Sequence, residues 1–149
     1  MSTTRQRVLD DIKTAMKAGD KPRLTTLRSV SAAFKQKEVD ERVELDEPTV
    51  VAILDKLVKQ RRESIAQYEN AGRDDLVAVE AAELVVLRDY LPEQLDGAGI
   101  DAEIESAMGS TGATSVRDMG KVMAVLKPAL QGRADMTEVS RRVKARLGA

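Results

Sequence analysis

The chain has 149 residues, with 24 Lys and Arg against 25 Asp and Glu, and it contains neither His nor Cys. Disulfides, Cys-containing zinc clusters, Cys-His nucleophile pairs and Ser-His-Asp triads are therefore excluded. With 42% hydrophobic residues but only one Phe, two Tyr and no Trp, aliphatic packing has to build the core.

The first periodic segment places Val8, Ile12, Ala15 and Met16 on one side of a helix, which Gly19 caps and Asp20 separates from the next. Pro22 suits the first turn of a second helix over roughly 22–42, with Leu24, Leu27, Val30 and Phe34 as its stripe. A third helix, residues 47–70, begins at Asp46-Glu47-Pro48 and carries Val50, Leu54, Leu57, Val58, Ile65 and Tyr68. Its length of about 36 Å exceeds what a compact globule of this size spans, so we expect it to lie antiparallel to the second helix in an elongated hairpin. A fourth helix starts near Asp74 and uses Leu76, Val79, Leu84, Leu87 and Leu91 before Pro92 ends it.

Pro92 to Gly99 combines a helix breaker with two glycines, and the expected organisation is a helical hairpin domain, 1–96, followed by a small three-helix domain, 97–149. The second domain reads as a short helix over 100–108, a turn at 109–112 and a helix opened by a Ser115/Asp118 capping box. Pro128 and Gly132 close that helix, and Asp135 caps a last one bearing Val139, Val143 and Leu147. No segment alternates with a strand period, so the fold class is all-α. Charges interrupt every apolar run well before about 18 residues, so no membrane partner is expected. The charged N-terminus lacks a signal-peptide core, and a cytoplasmic protein is the expectation.

The net charge of -1 conceals a division along the chain: residues 1–111 sum to -6 and residues 112–149 to +5. The basic C-terminal set is Arg117, Lys121, Lys127, Arg133, Arg141, Arg142, Lys144 and Arg146, with Gly120 and Gly132 among them. Open helix N-termini beside Lys and Arg suit an RNA backbone, and the lack of aromatic platforms favours a folded RNA over single strands. The competing reading is ordinary helix-solubilising charge. Lys56, Lys59 and Arg62 form a secondary basic stripe on the third helix, read either as a solvated ion-paired face or as a contact surface. The carboxylate pairs Glu80/Glu83 and Asp101/Glu105 read as helix surface, so the chain is assigned no catalytic residue, metal or cofactor.

Several ordered blocks add a resemblance: Lys59-Gln-Arg-Arg-Glu-Ser-Ile65, Tyr68, Ala71-Gly-Arg-Asp74, Tyr90-Leu-Pro-Glu-Gln-Leu95, Asp118-Met-Gly-Lys-Val-Met123 and Gly132-Arg-Ala-Asp135. Together they resemble the YqeY-like family, which is related to the tail of the B subunit of glutamine-dependent aspartyl/glutamyl-tRNA amidotransferases. The resemblance implies a tRNA- or structured-RNA-binding accessory module, with Lys121 and Arg133, which fall in the matching blocks, as the foremost contacts; the charge reading adds Arg117, Gly120, Lys127, Gly132, Arg141 and Lys144. It also brings a carbon-nitrogen ligase label with glutamine as amido-nitrogen donor, although intrinsic catalysis is not expected of a chain without a Cys nucleophile. The alternative is a protein-interaction adaptor that recruits its partner through the N-terminal hairpin.

Overall fold

A computed structural model describes residues 2–148 as seven α-helices and one 3-10 turn, with no strand among the described residues. The chain divides into two compact units, the first ending at Leu91 and the second beginning at Pro92.

The first unit holds α1 (Thr3–Ala18), α2 (Lys21–Glu41), α3 (Glu47–Asn70) and α4 (Asp74–Arg88). Its caps follow from local chemistry. Gly19 takes a left-handed φ of 69° at the end of α1, and the Asp20 side chain accepts the Arg23 N–H at 3.3 Å, with Pro22 in the first turn of α2. Asp46 accepts the Thr49 N–H at 2.9 Å to open α3. Leu27, Phe34, Leu45, Leu54 and Leu87 are among the fully buried side chains of this unit.

The pairing of helices differs from the expected one. The most extensive packing joins α1 to α2 and α3 to α4, whereas α2 and α3 touch less. A hydrophobic stripe specifies which face is buried, but connection lengths of two residues between α1 and α2 and three between α3 and α4 select the neighbour. Arg61 fastens the second pair, lying 2.7 Å from Glu83 and 3.4 Å from Glu80, so the Glu80/Glu83 pair is an inter-helix clamp. Tyr90 is buried where the unit ends, donates to Asp11 on α1, and lies 5.0 Å from the Arg7 guanidinium across its ring face. Two members of the expected stripes, Met16 and Val79, are exposed instead.

Glu47, at the start of α3, closes the N-terminus of α1. Its carboxylate accepts the Ser2 hydroxyl at 2.5 Å, the Thr4 N–H at 3.2 Å and the Thr4 hydroxyl. Burial pulls this carboxyl upward, but the hydrogen bonds from Ser2 and Thr4 outweigh it and leave the group below the ordinary glutamate range. A lowered folded pKa means the contribution is present above the unfolded glutamate value and is lost as pH falls through the folded one. Glu47→Gln should cost about 1–2 kcal/mol at neutral pH. Urea denaturation from pH 7 downward checks this, because the gap from wild type should close below the ordinary glutamate range.

The second unit holds α5 (Gly97–Thr111), a 3-10 turn (Val116–Asp118), α6 (Met119–Leu130) and α7 (Met136–Arg146) around Ile104, Val122, Leu126, Leu130, Val139 and Val143. Two expected breaks lie elsewhere. The turn expected at 109–112 is helical to Thr111, and Gly112 with φ 70° is the cap, since Gly109 keeps helical backbone and the Thr111 hydroxyl bonds the Ala107 carbonyl at 2.8 Å. Pro128 sits inside α6, which ends at Leu130. The Asp118 carboxylate accepts the Ser115 N–H at 3.3 Å in a capping box that opens the 3-10 turn ahead of α6.

Candidate nucleic-acid interface

The expected basic residues of the second unit fall into three groups with different surroundings. The first lies on α6. Val122, Leu126 and Leu130 are its buried stripe, four residues apart. Gly120, Lys121, Ala124, Lys127 and Pro128 are exposed on the remaining circumference, and Arg117, exposed in the 3-10 turn, stands one turn before Lys121. No Asp or Glu occurs anywhere in α6. Arg117 and Lys127 have no carboxylate within ion-pair distance among the described residues. Asp118, the nearest acid in sequence to Lys121, accepts the Thr114 and Ser115 N–H groups at 2.9 and 3.3 Å. Its carboxyl is lowered chiefly by the Thr114 bond and then the Ser115 bond, with Lys121 adding a weaker attraction. Lys121 therefore keeps its donors open.

Gly120 is informative on this face. A Cβ built there meets nothing within 4 Å, so no neighbour in the fold requires glycine at this position in the first turn of α6. With Ala124 one turn on, it leaves a shallow seat between Lys121 and Lys127 where backbone can approach a ligand.

The second group, on α7, is occupied within the protein. Arg142 reaches Asp101 at 3.0 Å and Glu138 at 2.9 Å, Arg141 bonds Glu138, and Arg146 pairs with Glu105. Asp101 and Glu105 are four apart on α5, as are Arg142 and Arg146 on α7, so the pairs make two rungs between neighbouring helices. Hydrogen bonds from Arg141 and then Arg142 outweigh desolvation and lower the Glu138 carboxyl to about 2. Arg141 is thus engaged by its neighbour while its side chain stays 65% exposed. Lys144 is exposed on the α7 flank opposite Arg142 and Arg146 and has no carboxylate partner among the described residues.

The third group, Gly132 and Arg133, holds the linker. Gly132 is buried with φ 76°, and its carbonyl accepts the Gln94 side-chain amide. The Arg133 carbonyl accepts the Leu95 N–H at 2.9 Å, and its Nε–H points to the Glu93 carbonyl at 3.5 Å. Both residues of the expected Gly-Arg contact thus bind the segment that enters α5.

On α3, Lys56 and Lys59 are exposed and Arg62 is half-buried, while the adjacent Arg61 is committed to Glu80 and Glu83. Among the described residues no group of three or more Asp and Glu converges as metal ligands would. The α5–α7 rungs were not anticipated, although the matched four-residue spacings of acids at 101 and 105 and arginines at 142 and 146 carry the signal. The close seat of Arg142 over Gly97 has none, because a Cβ at Gly97 would stand 2.5 Å from the Arg142 guanidinium across 45 residues of sequence.

A model of the Yqey-like protein family matches residues 5–147. Curated relatives include proteins named altered inheritance of mitochondria protein 41, mitochondrial. That of Pyrenophora tritici-repentis is 30% identical over 146 residues, covering 96% of this chain and 80% of the relative. Those of Kluyveromyces lactis and Eremothecium gossypii are 42% and 45% identical over 81 and 82 residues, 54% of this chain in each case. The matches cover 44% and 45% of those two yeast proteins, so the chain spans less than half of their length. The mitochondrial names overturn the cytoplasmic expectation. Its physical basis was too thin, since a missing signal-peptide core and missing apolar runs do not distinguish one aqueous compartment from another. No helix among the described residues is long and apolar enough to cross a membrane.

Proposed function

The chain belongs to the YqeY-like family, and on that premise we propose that it is an accessory module binding tRNA or a similarly structured RNA through the outer face of α6. The observation that carries this reading is the acid-free α6 surface, where Arg117, Lys121 and Lys127 surround the shallow seat at Gly120 and Ala124. Lysine and arginine held there neutralise phosphates without reading bases, and the unit has no aromatic side chain on which a base would stack. Lys144 extends the positive surface, and Arg133, Gly132 and Arg141 serve the fold. Amide transfer is left to other modules, as the relation to the amidotransferase tail suggests.

Fluorescence anisotropy with labelled tRNA over a salt series tests the reading. Three phosphate contacts should give a slope of about -3 in log affinity against log salt, or roughly a 40-fold loss between 50 and 200 mM. Unstructured RNA of the same length should bind more weakly. A flat salt response, or equal affinity for both RNAs, would remove the structured-RNA assignment.

A further inference from the structure

Pro128 lies inside α6, well past the first turn in which a missing N–H does no harm. There it withholds the hydrogen bond that residue 128 would donate to the carbonyl of Ala124, four residues earlier, and its ring crowds that oxygen. The Ala124 carbonyl is not among the last four of the helix, which lack helical partners in any case. Its loss of a helical donor is therefore specific to the proline. Ala124 and Pro128 are both exposed, so the oxygen is on the side where carbonyls of a helix tilt outward to solvent.

The surroundings of this oxygen are positive. Gly120, Ala124 and Pro128 recur every four residues and follow one line on the face turned away from Val122, Leu126 and Leu130. Lys121 stands three residues before Ala124 and Lys127 three after, which sets them about 60° to either side and about 4.5 Å along the axis in each direction. A hydrogen-bond acceptor thus sits midway between two exposed cations, and neither Gly120 nor Ala124 has a side chain long enough to cover it.

A phosphodiester carries no proton, so its oxygens can meet Lys121 and Lys127 but gain nothing from a carbonyl. The donor on a nucleic-acid backbone is the ribose 2′-hydroxyl, which RNA has and DNA lacks. Resting on the RNA reading of this face, we propose that the Ala124 carbonyl accepts a ribose 2′-hydroxyl while Lys121 and Lys127 hold phosphates beside it, so that α6 selects ribose over deoxyribose. Pro128 is the positioning residue, acting through Ala124 by keeping the acceptor free of the helix. Bases take no part, in keeping with a unit that has no aromatic side chain. A backbone without the hydroxyl strips water from the carbonyl and returns no hydrogen bond, which weakens its binding.

The test compares labelled tRNA with a copy carrying 2′-fluoro nucleotides in its helical arms, because fluorine keeps the sugar pucker and the phosphate charge but has no proton to donate. The wild type should bind the natural tRNA roughly tenfold more tightly, as expected for one acceptor left unpaired. Pro128→Ala restores the N–H at 128, returns the Ala124 carbonyl to the helix and raises helix propensity, so the unit stays folded. This variant should bind both RNAs with the affinity that the wild type shows for the fluorinated one. Its salt slope should be unchanged, because Arg117, Lys121 and Lys127 all remain. A lost preference with an intact slope is a result that neither altered folding nor a lost phosphate contact produces. Equal binding of the two RNAs by the wild type, or a preference that survives in Pro128→Ala, overturns the hydroxyl contact and leaves the α6 interface standing. Failure of both RNAs to bind removes the interface itself and the contact with it.

Discussion

Leu126→Ala should unfold the second unit and leave the first intact. Leu126 is 1% exposed and sits midway along the buried stripe of α6, between Val122 and Leu130. Truncating a leucine in such a place costs about 2–5 kcal/mol, through lost transfer energy and the cavity left behind. A single core of fewer than roughly 70 residues supplies only about 3–5 kcal/mol, and this unit runs from Pro92 to Ala149 without disulfide or aromatic ballast. The loss therefore consumes most of its stability. Circular dichroism should show about a third of the helix melting in a separate, earlier transition, since α5, α6 and α7 hold that share. RNA affinity should vanish with it. A single transition with RNA binding retained would show that the second unit is neither independent nor the binding part.

The same arithmetic explains which features were legible in sequence. Caps and stripes are local: Gly19, Asp20, Asp46 and the Ser115/Asp118 box each act within a turn of their own position, and each stands where its chemistry places it. Helix partners are not local. The aliphatic stripe of α2 would be buried equally well against α1 or α3, and only the short connections decide for α1. Val79 shows the limit within one helix, because α4 is apolar on more of its circumference than a single core can cover, and spacing alone cannot say which apolar residues are left outside.

The candidate site divides along the same line. Arg117, Lys121 and Lys127 were identified by charge and position, and their openness follows from the absence of acids in their own helix, which the sequence displays. Arg133 and Gly132 looked equivalent to them in sequence. Their partners, Glu93, Gln94 and Leu95, lie 38 to 40 residues away, and such contacts leave no local signature. The acids that engage the α7 arginines are partly distant as well, on α5, so of eight basic residues three are ion-paired within the unit, while Arg117, Lys121, Lys127, Arg133 and Lys144 have no carboxylate partner among the described residues.

That contraction separates two sets of charges by their expected effect on binding. Replacing Arg117, Lys121 and Lys127 together by Gln preserves helix propensity and removes three open cations from α6. The triple variant should bind tRNA on the order of 100-fold more weakly at 50 mM salt, with a salt slope about three units shallower. Replacing Arg141, Arg142 and Arg146 by Gln removes the same formal charge, but from groups already engaged with Glu138, Asp101 and Glu105. Its affinity should stay within about threefold of wild type while the second unit loses stability. Gly120→Ala adds a third contrast: it fills open space in the first turn of α6 and should stabilise the unit by about 0.5 kcal/mol, yet it narrows the seat and should weaken binding. If the α6 and α7 sets weakened binding equally, total charge would govern the interaction. If Gly120→Ala raised stability and affinity together, nothing would approach the α6 backbone, and the interface would have to lie elsewhere on the chain.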